Sequence, residues 1–71
     1  MNKYLSPVSL DDDIWIESII ARSLEDAKSK IITRFSEDYD LDYCDSYEDF
    51  IENALEMRNL LIGNPEDIET L

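Results

Sequence analysis

Histidine is absent from this sequence. That removes the commonest general base at neutral pH, the serine and cysteine triads, and most transition-metal sites. Cysteine occurs once, so a disulfide framework is excluded. Cys44 has no histidine to activate it, and the neighbouring Asp42 and Asp45 repel a thiolate. Glycine also occurs once, at Gly63, which rules out a glycine-rich phosphate loop. No apolar run approaches the ~18 residues of a membrane span. A carboxylate pair of the glycosidase kind stays open in principle, but 71 residues leave little room for a substrate cleft. The expectation is a protein that is not an enzyme and takes no cofactor.

Bases are scarce as well. Six of them face eighteen acids, for a formal net charge of −12. Such a chain is repelled by DNA, RNA and anionic lipid and attracted to basic surfaces, which belong largely to proteins that handle nucleic acid. Solubility alone asks for only about 2–8 net charges on a small domain. The excess destabilises a thin core by self-repulsion, since a fold of this size buries only about 60% of the surface of its unfolded chain. Apolar residues make up 44%, an ordinary globular share that argues against wholesale disorder. Small secreted domains usually carry paired cysteines, and Met1-Asn2-Lys3-Tyr4 runs into Ser6-Pro7 without an apolar signal segment. The expected compartment is therefore reducing and cytoplasmic.

The pattern along the chain predicts one domain over residues 1–71, with no repeat or linker. Tyr4, Ser6, Val8 and Leu10 alternate with Leu5, Pro7 and Ser9. Pro7 cannot donate to a ladder, which predicts an edge strand. Asp11-Asp12-Asp13 forms a turn-like cluster before the β-favouring run Ile14 to Ala21, and the two segments read as a hairpin. The same region also fits one helix from Leu10 to Phe35, because Ile16, Ile20, Leu24, Ala27, Ile31 and Phe35 recur at steps of three and four. We favour strand then helix. Ser23 offers a fresh N-cap to Asp26, with acids in the first turn. The helix then runs to about Glu37 on an apolar stripe of Leu24, Ala27, Ile31 and Phe35, and Lys28, Lys30 and Arg34 lie toward its C-terminal half, where the dipole favours cations.

A second helix starts at Ser46, with Asp49 as a variant capping-box partner. Tyr47, Phe50, Ile51, Ala54 and Leu55 form its apolar face, and it ends near Asn59. Leu60-Leu61-Ile62 reads as a short strand closed by Gly63. Asn64-Pro65-Glu66-Asp67 reads as a turn or the start of a single helical turn. The predicted fold class is α+β, a small domain with an N-terminal β-hairpin, two helices and a short C-terminal strand. The alternative is an all-α helical hairpin or bundle.

Two constellations bear on function. Between Arg34 and Arg58 there is no base and there are nine acids: Glu37, Asp38, Asp40, Asp42, Asp45, Glu48, Asp49, Glu52 and Glu56. Glu48, Glu52 and Glu56 repeat every fourth residue, giving a stripe with a spacing of about 6 Å on a helix. That is of the order of the phosphate spacing along a nucleic-acid strand. Like charges at i, i+4 destabilise a helix, so the stripe does not serve stability. Tyr39, Tyr43 and Tyr47 recur through the same segment, and tyrosine among carboxylates suits an arginine-rich partner. The bland alternative is that these tyrosines cover the core and the acids are a solvated face.

The second constellation is a near-match to a calcium loop at Asp38–Asp49. It offers Asp38, Asp40, Asp42 and Asp49 as candidate ligands between two helices, as in the EF-hand. Tyr43 stands where that loop needs glycine, Asp45 stands at an apolar position, and Asp49 is shorter than the bidentate glutamate. Any calcium affinity is expected to be weak or absent.

The reading is an acidic interaction module that occupies a basic, nucleic-acid-binding surface of a partner protein. Its expected contacts are Glu37, Asp38, Tyr39, Asp40, Asp42, Tyr43, Asp45, Glu48, Glu52 and Glu56. It has the character of a phage- or plasmid-type inhibitor or nucleic-acid mimic, and it contacts neither nucleic acid nor membrane directly. The alternatives are a small structural or weakly metal-binding domain, and a homodimer that enlarges its core.

Overall fold

Alternation in the first ten residues sets the sheet. In the computed structural model, which describes residues 1–70, β1 (Asn2–Leu10) and β2 (Asp13–Ala21) pair antiparallel, from Asn2 opposite Ala21 to Leu10 opposite Asp13. Asp11 and Asp12 make the turn. Asp11 takes φ 54°, a left-handed conformation that aspartate adopts more readily than most residues. There follow α1 (Leu24–Asp38), α2 (Tyr47–Arg58), β3 (Leu60–Ile62) and β4 (Glu66–Thr70). The architecture is α+β, with the predicted hairpin, two helices and returning strand.

The long-helix alternative fails between Ile14 and Ala21. Ile16 and Ile20 are four apart, a spacing that fits a helix and, being even, a strand as well. Their β-branched surroundings favour the strand. Ser23 caps α1 as its position suggests: its hydroxyl accepts from the Asp26 N–H at 3.2 Å.

Pro7 does not mark an edge. β1 is the central strand, with β2 on one side and both β3 and β4 on the other. β3 pairs with Val8 to Leu10 and β4 with Asn2 to Leu5, so Ser6 and Pro7 face a break between the two. In an antiparallel strand a residue's N–H and C=O point the same way. The Pro7 carbonyl accepts from the Gly63 N–H at 2.7 Å, so the donor that proline lacks faces that break, where no ladder needs it. Gly63 is required there because a Cβ would lie 2.5 Å from Pro7 Cγ. Its carbonyl accepts from the buried Ser6 hydroxyl at 2.6 Å and from the Tyr47 hydroxyl at 2.9 Å.

Residues 64–67 do not begin a helical turn either. Glu66 and Asp67 open β4, which runs to Thr70 against Leu5 to Asn2 with a bulge at Lys3/Tyr4. One helical turn would leave the first half of β1 with unpaired backbone groups, and the ladder satisfies them.

Both helices cover one face of the sheet. Tyr4, Val8, Ile19, Leu60 and Ile62 from that face join Ala27, Ile31 and Phe35 of α1 and Phe50 and Ala54 of α2 in a continuous core. Leu24 does not belong to the stripe, being 41% exposed at the first position of α1, and Ile32 is buried in its place. Leu55 is likewise exposed on α2. Among the described residues, no element packs on the other face of the sheet.

Candidate functional site

The acidic segment spans the end of α1, the loop after it and most of α2. α1 stops because Tyr39 leaves helical geometry and Asp40 takes φ 54°. Leu41 then turns into the core. With its neighbour anchored inside, the loop holds Asp40 and Asp42 at the surface. α2 begins at the Ser46 cap, whose hydroxyl oxygen accepts from the Asp49 N–H at 3.4 Å. That hydroxyl donates to Glu48 Oε2 at 3.1 Å. Glu48, and not Asp49, therefore answers the cap with its side chain. Its carboxyl sits below its usual pKa because its own backbone N–H and then Ser46 donate to it, with Lys28 adding a smaller favourable field.

All nine acids from Glu37 to Glu56 are exposed. Among the described residues the two ion pairs lie elsewhere, Lys30 with Asp26 at 3.5 Å and Arg34 with Glu17 at 2.8 Å. The bases that border the segment are engaged in other contacts. Arg58 Nε donates to the Tyr39 carbonyl at 2.8 Å, and Lys28 lies over the Tyr47 ring at 5.6 Å. Of Lys28, Lys30 and Arg34, the bases in the C-terminal half of α1, none lies in its last turn, where the dipole would favour a cation. Instead Lys30 Nζ donates to the Ile20 carbonyl at 2.8 Å, and Arg34 reaches Glu17 and the Ser18 carbonyl on β2. None of the nine carboxylates is in an ion pair, and Glu48 alone is favoured by a nearby base, Lys28.

The three tyrosines do not share this surface. Tyr47 is buried and its hydroxyl is pushed up to about 12, chiefly by burial. Tyr39 is half-buried and stacks on Phe35 with ring centroids 5.6 Å apart. Burial first, then Asp38 and Glu17, raises its hydroxyl above the usual value. Tyr43 alone is displayed, at 63% exposure. A repeat of four fits a helix face, but these residues straddle a loop and the phase is lost there.

Tyr43 lines an open cleft of about 390 Å³ between α1 and the start of α2, together with Lys28, Asp45, Tyr47 and Glu48. Sequence reading missed this cleft, because Lys28 and Asp45 belong to different elements and nothing local links them. The window Asp38–Asp49 does not close into a calcium loop. Among the described residues no three acidic or cysteine side chains gather closely enough to hold a metal ion. Cys44 is half-buried, its Sγ against the Asp42 carbonyl at 3.8 Å.

No family model matches the chain, and neither a curated protein nor a solved structure is significantly similar to it. The surface therefore speaks through its own chemistry. Among the described residues no helix is long and apolar enough to cross a membrane.

Proposed function

We propose that the protein is an acidic interaction module that occupies a basic, nucleic-acid-binding surface on a partner protein and so competes with nucleic acid for it. The observation that carries this reading is the set of nine exposed carboxylates between Glu37 and Glu56, none of them in an ion pair. Apart from Glu48, which already accepts from Ser46, such a carboxylate gives up no ion-pair partner when it meets an arginine or lysine. Glu48, Glu52 and Glu56 keep their charges about 6 Å apart along α2, a spacing that a groove built for phosphates can read. Tyr43 adds a displayed aromatic on which a guanidinium can stack. Inhibition of a nuclease, polymerase or DNA-binding regulator, of the kind that phages and plasmids encode, is the role that suits these features.

The test is competitive capture. Immobilised wild-type protein is expected to retain basic nucleic-acid-handling proteins from a lysate and to release them on addition of duplex DNA or salt. The variant Glu48→Lys, Glu52→Lys, Glu56→Lys should retain none of them. The variant Glu52→Lys, Glu56→Lys, which leaves the Ser46–Glu48 cap contact in place, should lose most of them with its circular dichroism unchanged, since both positions are exposed. If the same proteins stay on the triple variant, the stripe is a solvated helix face and the reading falls.

A further inference from the structure

We infer that the uncovered face of the sheet is the contact surface for a second copy of this chain. Strand register puts Leu5, Pro7 and Ser9 of β1, Ile14, Ile16, Ser18 and Ile20 of β2, and Leu61 of β3 on the side away from the helices. Ile14 is 80% exposed, Ile16 60% and Leu61 53%. The face is about 30 Å long and two strands wide at about 4.8 Å spacing, widened at one end by the three residues of β3, hence about 350 Å² in projection. The largest apolar patch on a typical monomer is about 300–600 Å² and is often functional, and this face falls in that range.

Charge selects the occupant. Charge on this face gathers at one end, where Lys3 lies beside Leu5 and where β4 registers Glu66 opposite Leu5 and Glu69 opposite Lys3. Asp13 and Glu17 belong to the helix-facing side of β2, and the nine acids of the candidate site lie on the helical layer and its loop. Two molecules of net charge −12 repel each other in other orientations. Meeting by this face, they turn their acids outward and place apolar side chains between them. A basic partner gains little from the apolar stretch of this face between Pro7 and Ile14, which carries no carboxylate among the described residues.

Strand-edge association is hindered along one half of β2. β2 is an edge strand with nine residues, which would ordinarily invite pairing. Lys30 and Arg34 reach down from α1 to the Ile20 and Ser18 carbonyls, alternate residues whose backbone turns away from the neighbouring strand. With the Ser18 to Ile20 half of that edge occupied, the copies meet face to face as a two-fold sandwich with sheets about 10 Å apart. The projected area is about half of the ~800 Å² per partner of a stable complex, which places the dimer in the weak, reversible class.

Sedimentation equilibrium on the full chain tests this from about 10 µM to about 1 mM, the range of a weak complex. The wild-type mass should rise from 8.3 kDa toward twice that value, and more readily in about 0.5 M NaCl, where the outward acids are screened. Ile16→Lys lowers the net negative charge, so charge alone would strengthen association; the sandwich requires at least tenfold weakening. Leu61→Lys is a second variant with the same expectation. Met57→Glu adds an acid at an exposed position of α2 and should leave the dimer intact. A wild type that stays at 8.3 kDa overturns the inference, whether the face then binds neutral lipid vesicles, another protein or nothing. Dimerisation undiminished by both lysine variants overturns it equally.

Discussion

Gly63 is the meeting point of the molecule. Its N–H donates to Pro7, its carbonyl takes two hydroxyls, and its missing side chain admits the proline ring. One of those hydroxyls, on Tyr47, is a titratable group whose ionised form the core disfavours. Its pKa, pushed up to about 12, exceeds the unfolded value of about 10. The folded state therefore binds more protons than the unfolded state between those limits, and stability falls with rising pH across that window. The contribution is complete below about pH 10 and is lost as pH climbs through 12. Thermal unfolding followed between these limits should show the decline, and Tyr47→Phe should remove its steepest part while weakening the protein modestly at neutral pH. An unchanged alkaline limb in that variant would place the sensitivity elsewhere.

At the scale of elements, the helices are held by unequal contacts. Phe50 is fully buried in α2, so Phe50→Ala is expected to cost about 3–5 kcal/mol. Leu24 occupies a stripe position in the sequence but is 41% exposed, so Leu24→Ala should cost less than about 1 kcal/mol. Urea melts of the two variants compare them directly, and equal losses would contradict the burial. The contrast shows what was legible. Ser23 and Ser46 were readable as caps because capping is local, a hydroxyl and an N–H three residues apart. The hairpin was readable from alternation and a three-aspartate turn. Pro7 misled because its tolerance depends on a break formed by residues 63–65, far away in sequence. β4 was hidden for a related reason: Asn-Pro-Glu-Asp is a good helix start locally, and an open edge of β1 outweighs that preference. In the candidate site the carboxylates could be placed on the surface from charge alone, whereas the tyrosines could not be phased across the loop.

For the whole molecule, the balance lies between a thin core and nine unpaired acids on one layer. Screening should relieve that repulsion, since the Debye length shrinks from about 10 Å at 0.1 M salt to about 3 Å at 1 M. Tm should therefore rise from low to moderate NaCl, measured at a protein concentration low enough to keep the chain monomeric. A flat response would mean that the acids lie too far apart to repel one another. The sheet topology has a consequence for synthesis. β2 follows β1 at once, but the other side of β1 waits for residues 60–70. At a translation rate of about 5–20 residues per second, that edge stays open for about 2–10 s. Throughout that interval it is a template on which neighbouring nascent chains on a polysome can pair. Pro7 sits in the middle of it without a donor, and so the residue that later faces the break also keeps the unfinished sheet from recruiting its neighbours.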